Sequence, residues 1–132
     1  MFSLFIGIIC IIGLVIGTIL SVSDFGIFFD APAFGIVIVG AFLYSIAAGG
    51  VAVDRIENFG IGAIRFGWLG FFIGIIIMSA SNIIVSLDNI GSALAVALLT
   101  PFYGYFTKIL TNVIVNRMDY NNLNDEQKEI EE

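Results

Sequence analysis

Phe66 to Val85 read FGWLGFFIGIIIMSASNIIV, an unbroken run without an acid or a base. A helix rises about 1.5 Å per residue, so a stretch of about 20 residues reaches about 30 Å, the thickness of a bilayer's hydrocarbon core. Outward from this run the pattern repeats. Between Met1 and Val53 the only charges are Asp24 and Asp30, and between Phe66 and Thr107 the only one is Asp88. These gaps predict four spans, over about residues 2–22, 33–53, 65–85 and 90–115. The expected fold is therefore all-α, a polytopic membrane protein with four transmembrane helices in one domain, 1–115. Residues 23–32 and 86–89 read as short turns and 54–64 as a middle loop. The tail, 116–132, is polar and acidic and is expected to be frayed or weakly helical.

Composition agrees. Hydrophobic residues make up 59% of the chain and charged ones 12%, with a mean hydropathy of +1.06. A soluble domain is about half apolar and about a quarter charged. The net charge of −6 arises mainly in the last residues and describes the tail, not the body. No basic patch points to nucleic acid. Cys10 is the single cysteine and there is no histidine, which removes a disulfide framework, a histidine metal site and a histidine base. Neither a cofactor nor a metal is expected. No paired-carboxylate, Cys/His or metal-ligand constellation is present, so the chain is not expected to be an enzyme. Ala31-Pro32-Ala33 faintly mimics a signal cleavage site, but the amino end carries no Lys or Arg and the apolar run is longer than a signal core. The first span is read as a retained helix.

Lys and Arg stay on the cytoplasmic side of a membrane. Arg55 and Arg65 flank the middle loop, Lys108 lies toward the end of the last span, and Arg117 and Lys128 lie in the tail. All five basic residues then share one face, opposite Asp24, Asp30 and Asp88. Both termini and the middle loop are expected in the cytoplasm. Arg55, Glu57 and Arg65 suit either headgroup anchoring or a cytoplasmic partner. Trp68 suits either an interface belt or ordinary packing.

Lipid provides little hydrophobic drive between helices, so small residues that let backbones approach mark the packing faces. In the fourth span Ala93, Ala97, Thr100, Gly104, Thr107 and Thr111 recur at spacings of three and four, opposite bulky Leu94, Leu98, Phe102, Tyr105 and Ile109. The third span carries Gly67, Gly70 and Gly74, with Ser81 beyond; the second carries Ala41, Ser45, Ala48 and Ala52. Gly13 and Gly17 of the first span stand in GxxxG spacing and are expected to pack inside one four-helix bundle. The hydroxyls of the fourth stripe suit two roles, interhelical hydrogen bonds or the lining of a narrow polar passage. Pro101 is expected to kink the helix and free the carbonyl near Ala97 beside Thr100. No acid falls deep inside a span. A carrier of protons needs a titratable group near midplane, so any such group must come from another protein.

Three stretches carry a family resemblance. Ile90 to Gly104, IGSALAVALLTPFYG, resembles the fourth-span signature of the MotA/TolQ/ExbB proton-channel family, closest to the flagellar stator MotA branch. Gly67 to Gly74, GWLGFFIG, resembles that family's third-span opening. Gly17 to Leu20, then Phe29-Asp30-Ala31-Pro32 and Ile36 to Gly40, resembles its first hairpin. The resemblance implies a homopentameric ring around two copies of a single-span partner whose transmembrane Asp carries the ion. It implies a multi-pass protein of the bacterial inner membrane. Thr100, and with it Thr107 of the same stripe, would be ion-path hydroxyls. Ala93, Ala97 and Gly104, with Gly70 and Gly74, would be close-approach positions against the partner helices.

The chain also departs from that pattern. Pro101 stands where the family has a second threonine, Phe71 where it has a third-span threonine, and Ala33 where it has serine. The large cytoplasmic domain of stator subunits is replaced by a short middle loop, so this is not an ordinary stator subunit. The expected function is a minimal ion-driven (proton or sodium) motor subunit. The alternative is a stand-alone oligomeric ring, small channel or holin-like pore without coupled transport.

Overall fold

The computed structural model describes residues 2–22, 25–80 and 87–131, all helical apart from short connections. Helix α1 is Phe2–Val22, a 3₁₀ turn follows at Phe25–Phe28, and α2 is Ala31–Ala48, α3 Ala52–Ala80 and α4 Leu87–Glu131. All four α-helices are long and apolar enough to cross a membrane, the pattern of a multi-pass membrane protein. Expectations on Ser23, Asp24 and 81–86, including Ser81 and part of the second outer turn, lie outside the described residues.

Helices α2, α3 and α4 form the packed unit, with a core of Ala33, Val37, Ala41, Ala63, Leu99 and Tyr103. Only Val37 among them is a branched aliphatic with no exposed surface. Apart from Leu99, the rest of the core is small or aromatic, as expected where close approach rather than hydrophobic collapse holds helices together. Large apolar side chains such as Phe42, Ile46, Ile76 and Leu98 point outward, where lipid would meet them.

Asp30 starts α2. Its carboxylate accepts from the Ala33 backbone N–H at 2.8 Å, and Pro32 occupies the first turn, where the missing N–H costs nothing. The connection to α3 is Gly49-Gly50-Val51, much shorter than the loop expected over 54–64. Gly49 and Gly50 adopt φ of 70° and 102°, a backbone that side chains resist. The Asp54 carboxylate then accepts from Val51 N–H at 3.1 Å and caps α3. Residues 54–64 are thus helical, which corrects the sequence reading. Charge marks where a membrane ends, not where a helix ends. At 29 residues, α3 is about 43 Å long and extends beyond a core of about 30 Å. The tail is likewise the continuation of α4 to Glu131.

A second correction concerns α1. Among the described residues nothing lies within 4 Å of where a side chain would begin on Gly13 or Gly17, so they do not pack against the other helices as expected. Helix α1 leans on the 3₁₀ turn and α4 through Ile19, while Phe5, Ile9 and Leu14 stay 64–71% exposed.

Candidate functional site

The α3–α4 seam brings most of the sequence-predicted site residues together. The two helices run antiparallel, with Gly74 against Ala97, Gly70 against Thr100, Gly67 against the Thr100 carbonyl, and Gly60 against Lys108 and Thr111. The register sets Arg55 at the same end of the bundle as Lys108 and Arg117, with Arg65 about 15 Å further along α3, near the level of Gly104. A Cβ on Gly67 would lie 2.8 Å from the Thr100 carbonyl oxygen, and one on Gly104 would lie 2.5 Å from that of Ala63. Both helices therefore need bare backbone at these points. Ala97 and Thr100 keep 6% and 5% of their surface. The close-approach positions Ala97, Gly104, Gly70 and Gly74 are thus occupied by packing within the chain. Ala93 and Thr107 sit half-buried on the same stripe.

Thr100 has a defined local role. Pro101 lacks an N–H, so the Ala97 carbonyl loses its usual helical partner. The Thr100 hydroxyl donates to that carbonyl at 2.8 Å. The freed carbonyl anticipated from the sequence is therefore satisfied by its neighbour, and α4 continues through Pro101. Thr111 makes the same type of bond, donating to the Lys108 carbonyl at 3.0 Å. The hydroxyl oxygens keep acceptor lone pairs.

A second node lies where α4 meets the outer turn. The Tyr103 hydroxyl donates to the Phe28 carbonyl at 2.6 Å and accepts from the Asp30 N–H at 3.0 Å. Its ring packs edge-on against Phe34, with centroids 5.5 Å apart. One phenol thus pins the start of α2 to the middle of α4. Tyr103 falls inside the Ile90–Gly104 motif, which assigns its hydroxyl no role. The available signal was a phenolic hydroxyl amid apolar neighbours, which requires a partner when buried.

At the basic end, the Ser45 hydroxyl donates to the Arg55 carbonyl at 2.7 Å, and Asn58 donates to the Gly49 carbonyl at 3.3 Å. Arg65 donates to the Tyr44 hydroxyl at 2.6 Å and lies over that ring, 4.9 Å from its centroid. Trp68 is 41% exposed and sits edge-on to Phe71, 5.8 Å between centroids. Phe71 therefore makes this face of α3 aromatic at the position where a threonine was sought. Among the described residues no group of His, Cys, Asp and Glu is arranged to hold a metal ion.

Compared with models of known families, with curated proteins and with solved structures, the chain matches none. Its function must be argued from the seam, the tyrosine node and the sequence motifs that meet there.

Proposed function

We propose that this chain is a minimal MotA-like subunit of an ion-driven membrane motor. In this reading a homopentameric ring sits in a bacterial inner membrane with both termini in the cytoplasm. It surrounds a dimer of a single-span partner whose transmembrane Asp carries a proton or sodium ion, and it couples that flow to work by the partner. The observation that carries the reading is the meeting of the three motifs. Asp30 of the first-hairpin motif bonds Tyr103 of the fourth-span motif, and Gly67, Gly70 and Gly74 of the third-span motif lie against Ala97 and Thr100. Segments that resemble one family in order along the chain are also mutual neighbours in space. The absence of an acid deep in any predicted span supports the same reading, since the ion carrier must then come from elsewhere. Thr100 and Thr107 would contribute hydroxyls to the ion path.

A second reading has its own observation. Thr100 is buried inside the single chain with its proton committed to the Ala97 carbonyl. That favours a stand-alone ring, small channel or holin-like pore in which the stripe is structural.

Native mass measurement of the complex extracted gently from its host, with peptide identification of co-purifying chains, separates the two. A homopentamer with a pair of single-span, Asp-bearing chains is the expected result. A homo-oligomer with no such partner overturns ion coupling and leaves the stand-alone assembly.

A further inference from the structure

We propose that the cleft between α2 and α3 at the basic end of the bundle binds one anionic phospholipid, with Arg55 holding its phosphate. This does not depend on the motor reading. The cleft has a volume of about 440 Å³ and is lined by Phe42, Ser45 and Ile46 of α2 and by Arg55, Ile56 and Phe59 of α3. Its walls are mostly apolar, and its rim carries one cation.

Three features make that cation a receptor rather than a solvated charge. Its Nε donates to the Gly50 carbonyl at 3.1 Å, which fixes the guanidinium beside the positive-φ turn. The remaining N–H donors of the fork stay open, in the geometry that suits phosphate. Among the described residues Arg55 forms no ion pair.

The neighbouring acids do not supply one. Asp54 turns its carboxylate back to the Val51 N–H. Glu57 is two residues on, and residues two apart on a helix do not face each other. Ser45 lines the cleft but spends its hydroxyl on the Arg55 carbonyl, which closes the polar floor beneath the rim. The cleft is thus apolar below and cationic above, complementary to an acyl chain below a phosphate. Arg65, the other arginine on α3, does not line the cleft; it lies over the Tyr44 ring and donates to that hydroxyl. With this end in the cytoplasm, as the positive-inside pattern of the sequence implies, anionic lipid of that leaflet is the ligand chemistry at hand.

The test uses the full chain in nanodiscs of phosphatidylethanolamine containing a minor fraction of phosphatidylglycerol, with native mass spectrometry of the released protein. The wild type should keep one phosphatidylglycerol in preference to phosphatidylethanolamine. Arg55→Gln should lower that preference about fivefold, the factor expected for one interfacial arginine. Arg55→Lys, which keeps the charge but loses the bond to Gly50 and the guanidinium fork, should fall between the wild type and Arg55→Gln. Ile46→Trp, which fills the cleft from its apolar wall, should also lower retention.

Equal retention of the two lipids by the wild type overturns the proposal. So does an unchanged Arg55→Gln, and so does a loss in Arg55→Lys as large as in Arg55→Gln, which would assign the effect to the turn. An unchanged Ile46→Trp, or displacement of the lipid by inorganic phosphate, would reduce the site to a headgroup contact and overturn the acyl-chain half.

Discussion

Replacing Tyr103 by phenylalanine removes one oxygen and leaves the ring in place. That oxygen makes two hydrogen bonds between elements, one to the Phe28 carbonyl at 2.6 Å and one from the Asp30 N–H at 3.0 Å. Side-chain hydrogen bonds between membrane helices average about 0.6 kcal/mol and reach about 1.7 kcal/mol. Two of them, both part-buried, place the cost of Tyr103→Phe at about 1–3 kcal/mol. The edge-on contact with Phe34 survives, so the loss belongs to the hydroxyl alone. Reversible unfolding in mixed micelles, titrated with a denaturing detergent, measures it. Tyr105→Phe is the control, because Tyr105 is 50% exposed and its hydroxyl bonds no other described residue. A Tyr103→Phe variant as stable as its Tyr105→Phe counterpart would refute the pinning of α2 to α4 by this hydroxyl.

Three further outcomes follow from the packing and from a helix cap. Gly104→Ala places a Cβ 2.5 Å from the Ala63 carbonyl, so α3 and α4 must part by about 0.9 Å to reach an ordinary contact; a loss of about 1–3 kcal/mol is expected in the same titration. Gly13→Ala meets nothing within 4 Å and should be neutral or gain up to about 1 kcal/mol from helix propensity. Asp30→Ala removes the cap of α2 and should cost about 1 kcal/mol, seen as faster hydrogen exchange at the Ala33 amide and a lower unfolding midpoint.

The spans were legible because hydropathy reports the medium a helix lies in. For the same reason the helix ends were not. Residues 54–64 and 116–131 carry charges and so looked non-membrane, yet both are continuous with helices that hold apolar spans. The small stripe from Ala93 to Thr111 was legible as a contact face, since spacings of three and four have only one meaning on a helix. What it touches was not legible. A glycine or alanine reports that something comes close, not whether that neighbour is α3 of the same chain or a helix of another. Gly67, Gly70 and Gly74 answer the question for Ala97 and Thr100, because the two stripes fit each other in antiparallel register. Gly13 and Gly17 have the same local signature and no neighbour, so spacing alone could not separate the two cases.

Thr100 and Pro101 act as a pair, and the pairing can be measured. Proline removes the N–H that would bond the Ala97 carbonyl, and a bare carbonyl away from water is costly. The preceding threonine supplies the missing donor at 2.8 Å. If that is its role, Thr100→Val exposes the defect only while Pro101 is present. In a Pro101→Ala background the backbone N–H returns, and the hydroxyl becomes redundant. A double-mutant cycle should therefore give a coupling of about 0.6–1.7 kcal/mol, the range of a side-chain bond in a membrane interior. Equal costs of Thr100→Val in the two backgrounds would refute the compensation. The same four proteins also test the ion-path role. A hydroxyl needed only to repair the proline lowers coupled flux when Thr100 changes alone and not when Pro101 changes with it. A hydroxyl that meets the ion lowers flux in both backgrounds, whatever the stability does.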